Sequence, residues 1–450
     1  MANAPRGDRD GSPLPATRRP PRRYLFVVLA LTSALGAAYY TPRVASLLHR
    51  RHVASLSPPQ LQEHVRKHPA DLEARYRLGL TYGRAGRNAD AIRELIGVLQ
   101  RNPLRADVLN DLGALYLLEG RYYECLVTLE GALRVRPNYP VAYANLGRLH
   151  VATKMPFTAV RELEHAVRLD PGNVETLCDL GEAYQRTLNY SSARGIYERA
   201  LKANPRAVRA HLGLGKTYFN LTDYPRAEEA LRAALQLAPE EPGALATLGR
   251  LKLENAVSDP ELQAARDLLR RVLRADSGDP EAWYDLGRAA LKQAKAAQAV
   301  EFLQRALQLS PQHPGAALQL SRALRAVGKS READRVAAAF RRDSLRSREQ
   351  TRLEEQLYQN PRDWDALARL AVIDLETGQY GLAALRCRQL SEGAPRHPLL
   401  PSLLAELARG TRPASGTSGA AGGSSPSSGA PSALGTGADA PAPGAASGAP

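Results

Sequence analysis

The sequence predicts an all-α solenoid, a superhelical stack of helix–turn–helix units, and three observations predict it. Leu-Gly pairs stand at 78–79, 112–113, 146–147, 180–181 and 214–215, each 34 residues after the last; Leu248-Gly249 keeps step and Leu286-Gly287 arrives four residues late. Prolines keep the same period at Pro69, Pro103, Pro137, Pro171, Pro205 and Pro239. Inside the unit 172–205, Leu177, Leu180, Gly181 and Tyr184 share one helical face, a loop follows at 187–190, and a second run carries Ala193, Tyr197 and Ala200 before Pro205. A fixed period of this length is the signature of a stack in which each unit buries its apolar face on its neighbours.

The elements follow in order. Residues 1–23 are rich in Pro and Arg, carry a net +4 and are expected to be disordered. Residues 24–40 hold no charge and, as a helix, would span about 26 Å at 1.5 Å per residue, the short end of a bilayer crossing. We read them as an uncleaved transmembrane anchor, with Tyr24 and Tyr39-Tyr40 as interfacial belts; a cleaved signal peptide cut within Ser33–Ala38 is the alternative. Six Arg precede the segment and three follow it, which places the N-terminus in the cytoplasm and the repeats outside it, in the periplasm of a bacterial-type cell. Residues 41–57 are expected to form a basic linker, and residues 59–67 a lone helix that caps the first repeat.

Units then run 70–103, 104–137, 138–171, 172–205 and 206–239 without a gap. The sixth, 240–277, has about four extra residues, expected near Ala256–Pro260 between its helices. The seventh, 278–311, supplies Trp283. The eighth, 312–345, is degenerate, with Ser321 in place of the Gly and Leu345 in place of the Pro. A hinge is expected at 343–349, followed by an unpaired helix at 346–359, a ninth unit at 362–395 with Leu370-Ala371, and a cap at 398–408. Residues 411–450 are almost entirely Gly, Ala, Ser, Pro and Thr; they are expected to be a disordered tail with a reach of roughly 35 Å.

The repeated Leu-Gly, the Ala opening each second helix and the terminal Pro together resemble the tetratricopeptide repeat (TPR). The resemblance covers roughly three quarters of the chain and implies a TPR scaffold or adaptor rather than an enzyme. In that family the first helices line a concave groove that takes extended peptides. The Gly, as at Gly181, is expected where the two helices cross, with Tyr184 beside it; a large residue there should cost a few kcal/mol by overpacking.

Two residues past each leucine stand Leu80, Ala114, Arg148, Glu182, Lys216, Arg250, Arg288, Arg322 and Val372, so five of the six units from Arg148 to Arg322 are basic. One residue before the leucine stand, among others, Asn145, Asp179 and Asp285. The expected partner surface is therefore Arg148, Lys216, Arg250, Arg288 and Arg322, with Asn145, Asp179 and Asp285 supplying polar contacts, and the expected partner is an acidic protein segment. A solvated stripe in an Arg-rich protein is the alternative. Reversing Arg250, Arg288 and Arg322 to Glu is expected to abolish capture without unfolding the stack. The Lys/Asn pattern of chaperone-type carboxylate clamps is not reproduced.

Other chemistry is weighed and set aside. The run 210–217 matches a relaxed phosphate-loop pattern, but no strand precedes it and Leu214-Gly215 is the repeat's own pair. His64 and His68, four apart, are read as part of a solvated basic face, without a third ligand in view. Cys125 and Cys387 are expected to be buried; for Cys178 a groove-facing, exposed thiol is one reading. Asn189 and Asn220 head glycosylation sequons that matter only in a eukaryotic secretory cell. The net charge is +15, of which the residues between linker and tail hold +8. The aromatics are assigned to packing, so no nucleic acid, cofactor, metal or small-molecule substrate is expected. A membrane-anchored scaffold in envelope complex assembly is the first functional reading. A secreted or periplasmic adaptor and an accessory or regulatory subunit of an enzyme complex are the others.

Overall fold

A computed structural model describes residues 48–410 except Gln312. The expected disordered N-terminus 1–23, the transmembrane segment 24–40, the start of the linker and the tail 411–450 lie outside the described residues. Among the described residues every regular element is a helix, and no helix is long and apolar enough to cross a membrane. The chain divides into two compact units at Thr81/Tyr82.

The first unit holds α1 (48–55), α2 (Pro58–Lys67) and most of α3 (Leu72–Arg84). Finding α1 corrects the linker expectation. Residues 48–55 contain neither Gly nor Pro, and Val53, which they carry, is buried together with Leu61 and Val65. α2 starts in a capping box, Ser57 with Gln60, and carries Pro at its first turn.

In the second unit the helices alternate as first and second members of each pair. They are α4 (Asn88–Leu99), α5 (Ala106–Leu118), α6 (Tyr122–Val135), α7 (Pro140–Ala152), α8 (Pro156–Leu169), α9 (Val174–Arg186), α10 (Tyr190–Ala203), α11 (Val208–Asn220) and α12 (Tyr224–Leu237). Then come α13 (Pro242–Asn255), α14 (Asp259–Ala275), α15 (Pro280–Lys292), α16 (Ala296–Leu309), α17 (Pro314–Ala326), α18 (Ser330–Gln359), α19 (Trp364–Glu376), α20 (Tyr380–Gly393) and α21 (Leu400–Gly410). Short polar side chains start many of them: Asn173, Asn189, Asp223, Asp279 and Asp363 each accept from a first-turn amide.

The glycines work by close approach. A Cβ on Gly181 would stand 2.5 Å from the Tyr197 ring, and one on Gly213 would stand 2.2 Å from it. The buried ring over Gly181 is thus Tyr197, while Tyr184 is half-buried and donates its hydroxyl to Glu164 at 2.5 Å. All three cysteines are buried, so Cys178 is not an exposed thiol. Burial pushes the Cys125 and Cys178 thiols up to about 12.

Two boundaries differ from expectation. The extra residues of the sixth unit do not lengthen its turn. α13 has 14 residues and α14 has 17, against 13 and 14 in α9 and α10, and three residues still join the pair. A capping box of Ser258 and Glu261 starts α14. The expected hinge at 343–349 is absent, because α18 runs unbroken for 30 residues. Residues 330–359 contain neither Gly nor Pro, so with Leu345 in the proline's place nothing stops the helix. The predicted boundary between 345 and 346 falls inside α18.

Candidate functional site: the first-helix face

Three of the five expected basic positions already hold acidic neighbours within the chain. Arg148 donates from Nε to Asp179 Oδ2 at 2.6 Å and from Nη1 to Asn145 Oδ1 at 3.0 Å. Asn145 donates in turn to Asn110 at 2.9 Å. Arg209 closes on the same carboxylate from the next repeat, 2.8 Å to Asp179 Oδ1, and reaches Glu175 at 2.6 Å. Arg250 donates to Asp285 Oδ2 at 2.8 Å and to Glu281 at 2.7 Å. Arg288 donates to Asp285 Oδ1 at 3.2 Å and to Glu254 at 2.6 Å.

These bonds join consecutive first helices into a polar seam. In the fourth and seventh units the residue one before the leucine, Asp179 and Asp285, places a carboxylate where two arginines meet it, at least one of them from an adjacent repeat. Asn145, Asp179 and Asp285 are buried, Asp285 fully, and their polar atoms are committed to this seam. The sequence pattern places Arg148, Arg250 and Arg288 on one face, but structure replaces a free basic ladder with ion pairs. Pairing across 30 or more residues is not visible in a list of side chains two past the leucine; the signal was the acidic position of the adjacent repeat.

The seam changes character at Lys216. Among the described residues neither Lys216 nor Arg322 has an ion-pair or hydrogen-bond partner for its side chain, and both are exposed. Lys216 lines a cavity of about 320 Å³ between α9 and α11, with Glu182, Gln185, Arg186, Arg209 and Leu212. Gln185 fixes one wall, donating to the Gly213 carbonyl at 2.9 Å and to Thr217 Oγ1 at 2.8 Å. The surrounding protein lowers the Lys216 pKa, burial first, with Arg250 and Arg186 adding to it against Glu182 and Glu241. The ammonium is reached by solvent yet sits in a concave, dehydrating surround, where an incoming carboxylate would gain more than at an open surface.

The run 210–217 lies in the interior of α11, where backbone amides are committed to the helix, so it forms no phosphate loop. His64 is no part of a solvated face: its Nε2 lies 2.8 Å from Asp71 Oδ2.

Tetratricopeptide-repeat family models match residues 178–242 and 261–314, and another matches 52–109. No curated protein matches the chain. Similar solved structures include a tetratricopeptide repeat protein from Parabacteroides merdae, 18% identical, covering 56% of this chain and 98% of that one with a TM-score of 0.47. Another is a human IFIT1 dimer with PPP-AAAA, 19% identical, covering 74% and 84% with a TM-score of 0.49. A third is YrrB, a TPR protein with an unusual peptide-binding site, 21% identical, covering 42% and 95% with a TM-score of 0.31. The 34-residue period, the helix pairs and the matched segments agree: this chain carries tetratricopeptide repeats.

Proposed function

We propose that the chain is a protein–protein interaction adaptor that takes an extended acidic segment along its first helices, with Lys216 as the central contact and Arg322 as a second. The observation that carries this reading is the contrast along the seam. Arg148, Arg250 and Arg288 are held by internal carboxylates, whereas Lys216 faces a cavity with no ion-pair or hydrogen-bond partner among the described residues. YrrB, a similar structure, is a TPR protein with a peptide-binding site. Repeat stacks of this kind present extended concave surfaces to partners. The proposal includes an anchor at residues 24–40 that holds the repeats outside the cytoplasm, in keeping with the Arg asymmetry around that segment. Envelope complex assembly is the setting this arrangement suits.

The test is a fluorescence anisotropy titration with an extended peptide of alternating Glu and Leu, against the same peptide with Gln in place of Glu. The acidic peptide should bind more tightly, and Lys216→Glu should weaken it by about tenfold or more, with Glu301→Lys on α16 as a control. Equal binding of both peptides, or no effect of Lys216→Glu, overturns the reading. Fractionation of the full chain with protease access from the outer side tests the anchor: a soluble species starting near Ala37–Thr41 refutes it.

A further inference from the structure

A second cavity, of about 700 Å³, opens where α14 meets α15 and α16. Four apolar side chains line it: Leu273 from α14, Trp283 and Leu286 from α15, and Phe302 from α16. Leu286 is buried, and the other three are half-buried. The two rings meet at a tilt of 43°, with centroids 5.7 Å apart. The indole N–H of Trp283 donates to the Ser277 carbonyl at 3.0 Å. Its polar edge is therefore satisfied, and what the ring has left to offer a ligand is its face.

The charged side chains of the lining are not equally engaged. Arg270 holds Asp267 at 3.2 Å, and Arg271 donates to the Pro239 carbonyl at 2.9 Å and to Glu240 at 2.8 Å. Arg274 is exposed and, among the described residues, has no ion-pair or hydrogen-bond partner. Three arginines against the single carboxylate of Asp267 leave the lining at a formal +2.

We propose that this cavity is a second partner-binding surface, which takes a bulky apolar side chain of a protein segment and pairs the segment's neighbouring carboxylate with Arg274. Charge complementarity sets the sign of the partner. An apolar centre within a rim of exposed charges is the anatomy of a protein–protein interface, where Trp and Arg carry much of the binding energy. A small-molecule site would instead aim fixed polar groups inward, whereas Asp267, Arg270 and Arg274 are all exposed. A nucleic-acid strand would bring its phosphates against the Asp267 carboxylate. The surface lies on α14 and α16, second helices of their pairs, while the Lys216 cavity lies between first helices α9 and α11. It is therefore independent of the acidic-segment reading of the first-helix face. One chain with both surfaces engages two partners, as an adaptor must.

The experiment uses the full-length chain and a synthetic peptide with one Phe between Glu residues in a Gly/Ser background. The peptide has no Trp or Tyr, so emission excited at the red edge of the protein absorption comes from Trp283 and Trp364. A saturable change in that emission is expected. Ala in place of the peptide's Phe, or Gln in place of its Glu residues, should weaken binding by about tenfold. Arg274→Glu breaks no internal ion pair and should weaken binding by about tenfold or more, with the helical circular dichroism unchanged. Trp283→Phe should abolish the emission change, and Lys216→Glu should leave it intact, which separates this surface from the first-helix cavity. No saturable change, a change that survives Arg274→Glu or Trp283→Phe, or one that is lost in Lys216→Glu overturns the proposal. Displacement of the peptide by a single-stranded oligonucleotide overturns it too, and would make the cavity a nucleic-acid site.

Discussion

One backbone position recurs in the turn between the helices of a pair. Residues 86, 120, 154, 188 and 222, and again 294, 328 and 378, all have positive φ. Four of them are Gly, which adopts this conformation without strain, but Lys154, Leu188, Thr222 and Ala294 are not. Leu188 is 71% exposed, so its side chain contributes little packing. Leu188→Gly should therefore stabilise the repeat by about 0.5–1 kcal/mol, read by chemical denaturation, even though Gly raises the entropy of the unfolded chain. A loss of stability would mean that the turn does not hold the left-handed conformation.

The seam residues behave in the opposite way. Arg250→Glu would set a new carboxylate against fully buried Asp285 and leave Arg288 alone to neutralise it. A cost of about 3–5 kcal/mol is expected, whereas Lys216→Glu, which breaks no ion pair, should cost about 1 kcal/mol. Hydrogen exchange across α15 separates the two. The triple reversal of Arg250, Arg288 and Arg322 is therefore a test of folding before it is a test of binding. The Leu-Gly and acidic positions were legible in the sequence because each recurs in register. Their pairing was not, because it depends on which rotamers meet between adjacent repeats.

At the scale of the element, helix pairs follow from the 34-residue period, and departures from it occur where a stop signal is lost or a cap moves. α18 shows the first case. Its C-terminal half adds Leu353 and Leu357 to the core around α19 and α20, and carries Glu354 to the side of buried Arg386. Arg386 also donates to Asp374 at 2.5 Å. Burial pushes Glu354 up to about 7, against the Gln350 amide and the charges of Arg386 and Lys154. An unfolded Glu titrates near about 4.3. The folded state thus holds a proton that the unfolded state releases, so this contribution is complete below about pH 4 and is lost as pH rises through about 7. The C-terminal helices should melt at lower temperature at pH 8 than at pH 5, and Glu354→Gln, which cannot ionise, should flatten that slope. Parallel slopes in the two proteins would remove Glu354 as its source. None of this was legible, since a residue inside an expected unpaired helix gives no sign of a buried partner.

At the scale of the second unit, repeats far apart in sequence meet. α20 packs on α6 and α18 reaches α8. Tyr123 donates its hydroxyl to Glu392 at 2.7 Å, and the Arg388 guanidinium lies 4.5 Å over the Tyr123 ring. The Phe157 and Tyr358 rings meet at a tilt, with centroids 5.2 Å apart. A Cβ on Gly381 would stand 3.3 Å from the Gly120 carbonyl, so the backbones are close. The period fixes which helices are neighbours, but the meeting of α6 with α20 depends on a small rotation summed over many repeats, which no local pattern encodes. It changes the energetics of the stack. In a purely linear array each repeat is stabilised by its two neighbours alone; here an additional bond ties the ninth unit to the second. The hydroxyl–carboxylate bond is expected to contribute about 0.5–1.5 kcal/mol in water. A double-mutant cycle of Tyr123→Phe and Glu392→Ala isolates it without removing the ring under Arg388. A coupling of that size, with hydrogen-exchange protection falling together in α6 and α20, is the expected result. The two residues are 269 apart in sequence; strictly additive effects, together with unlinked exchange in the two helices, would mean that this contact adds nothing and that the array is linear in its energetics.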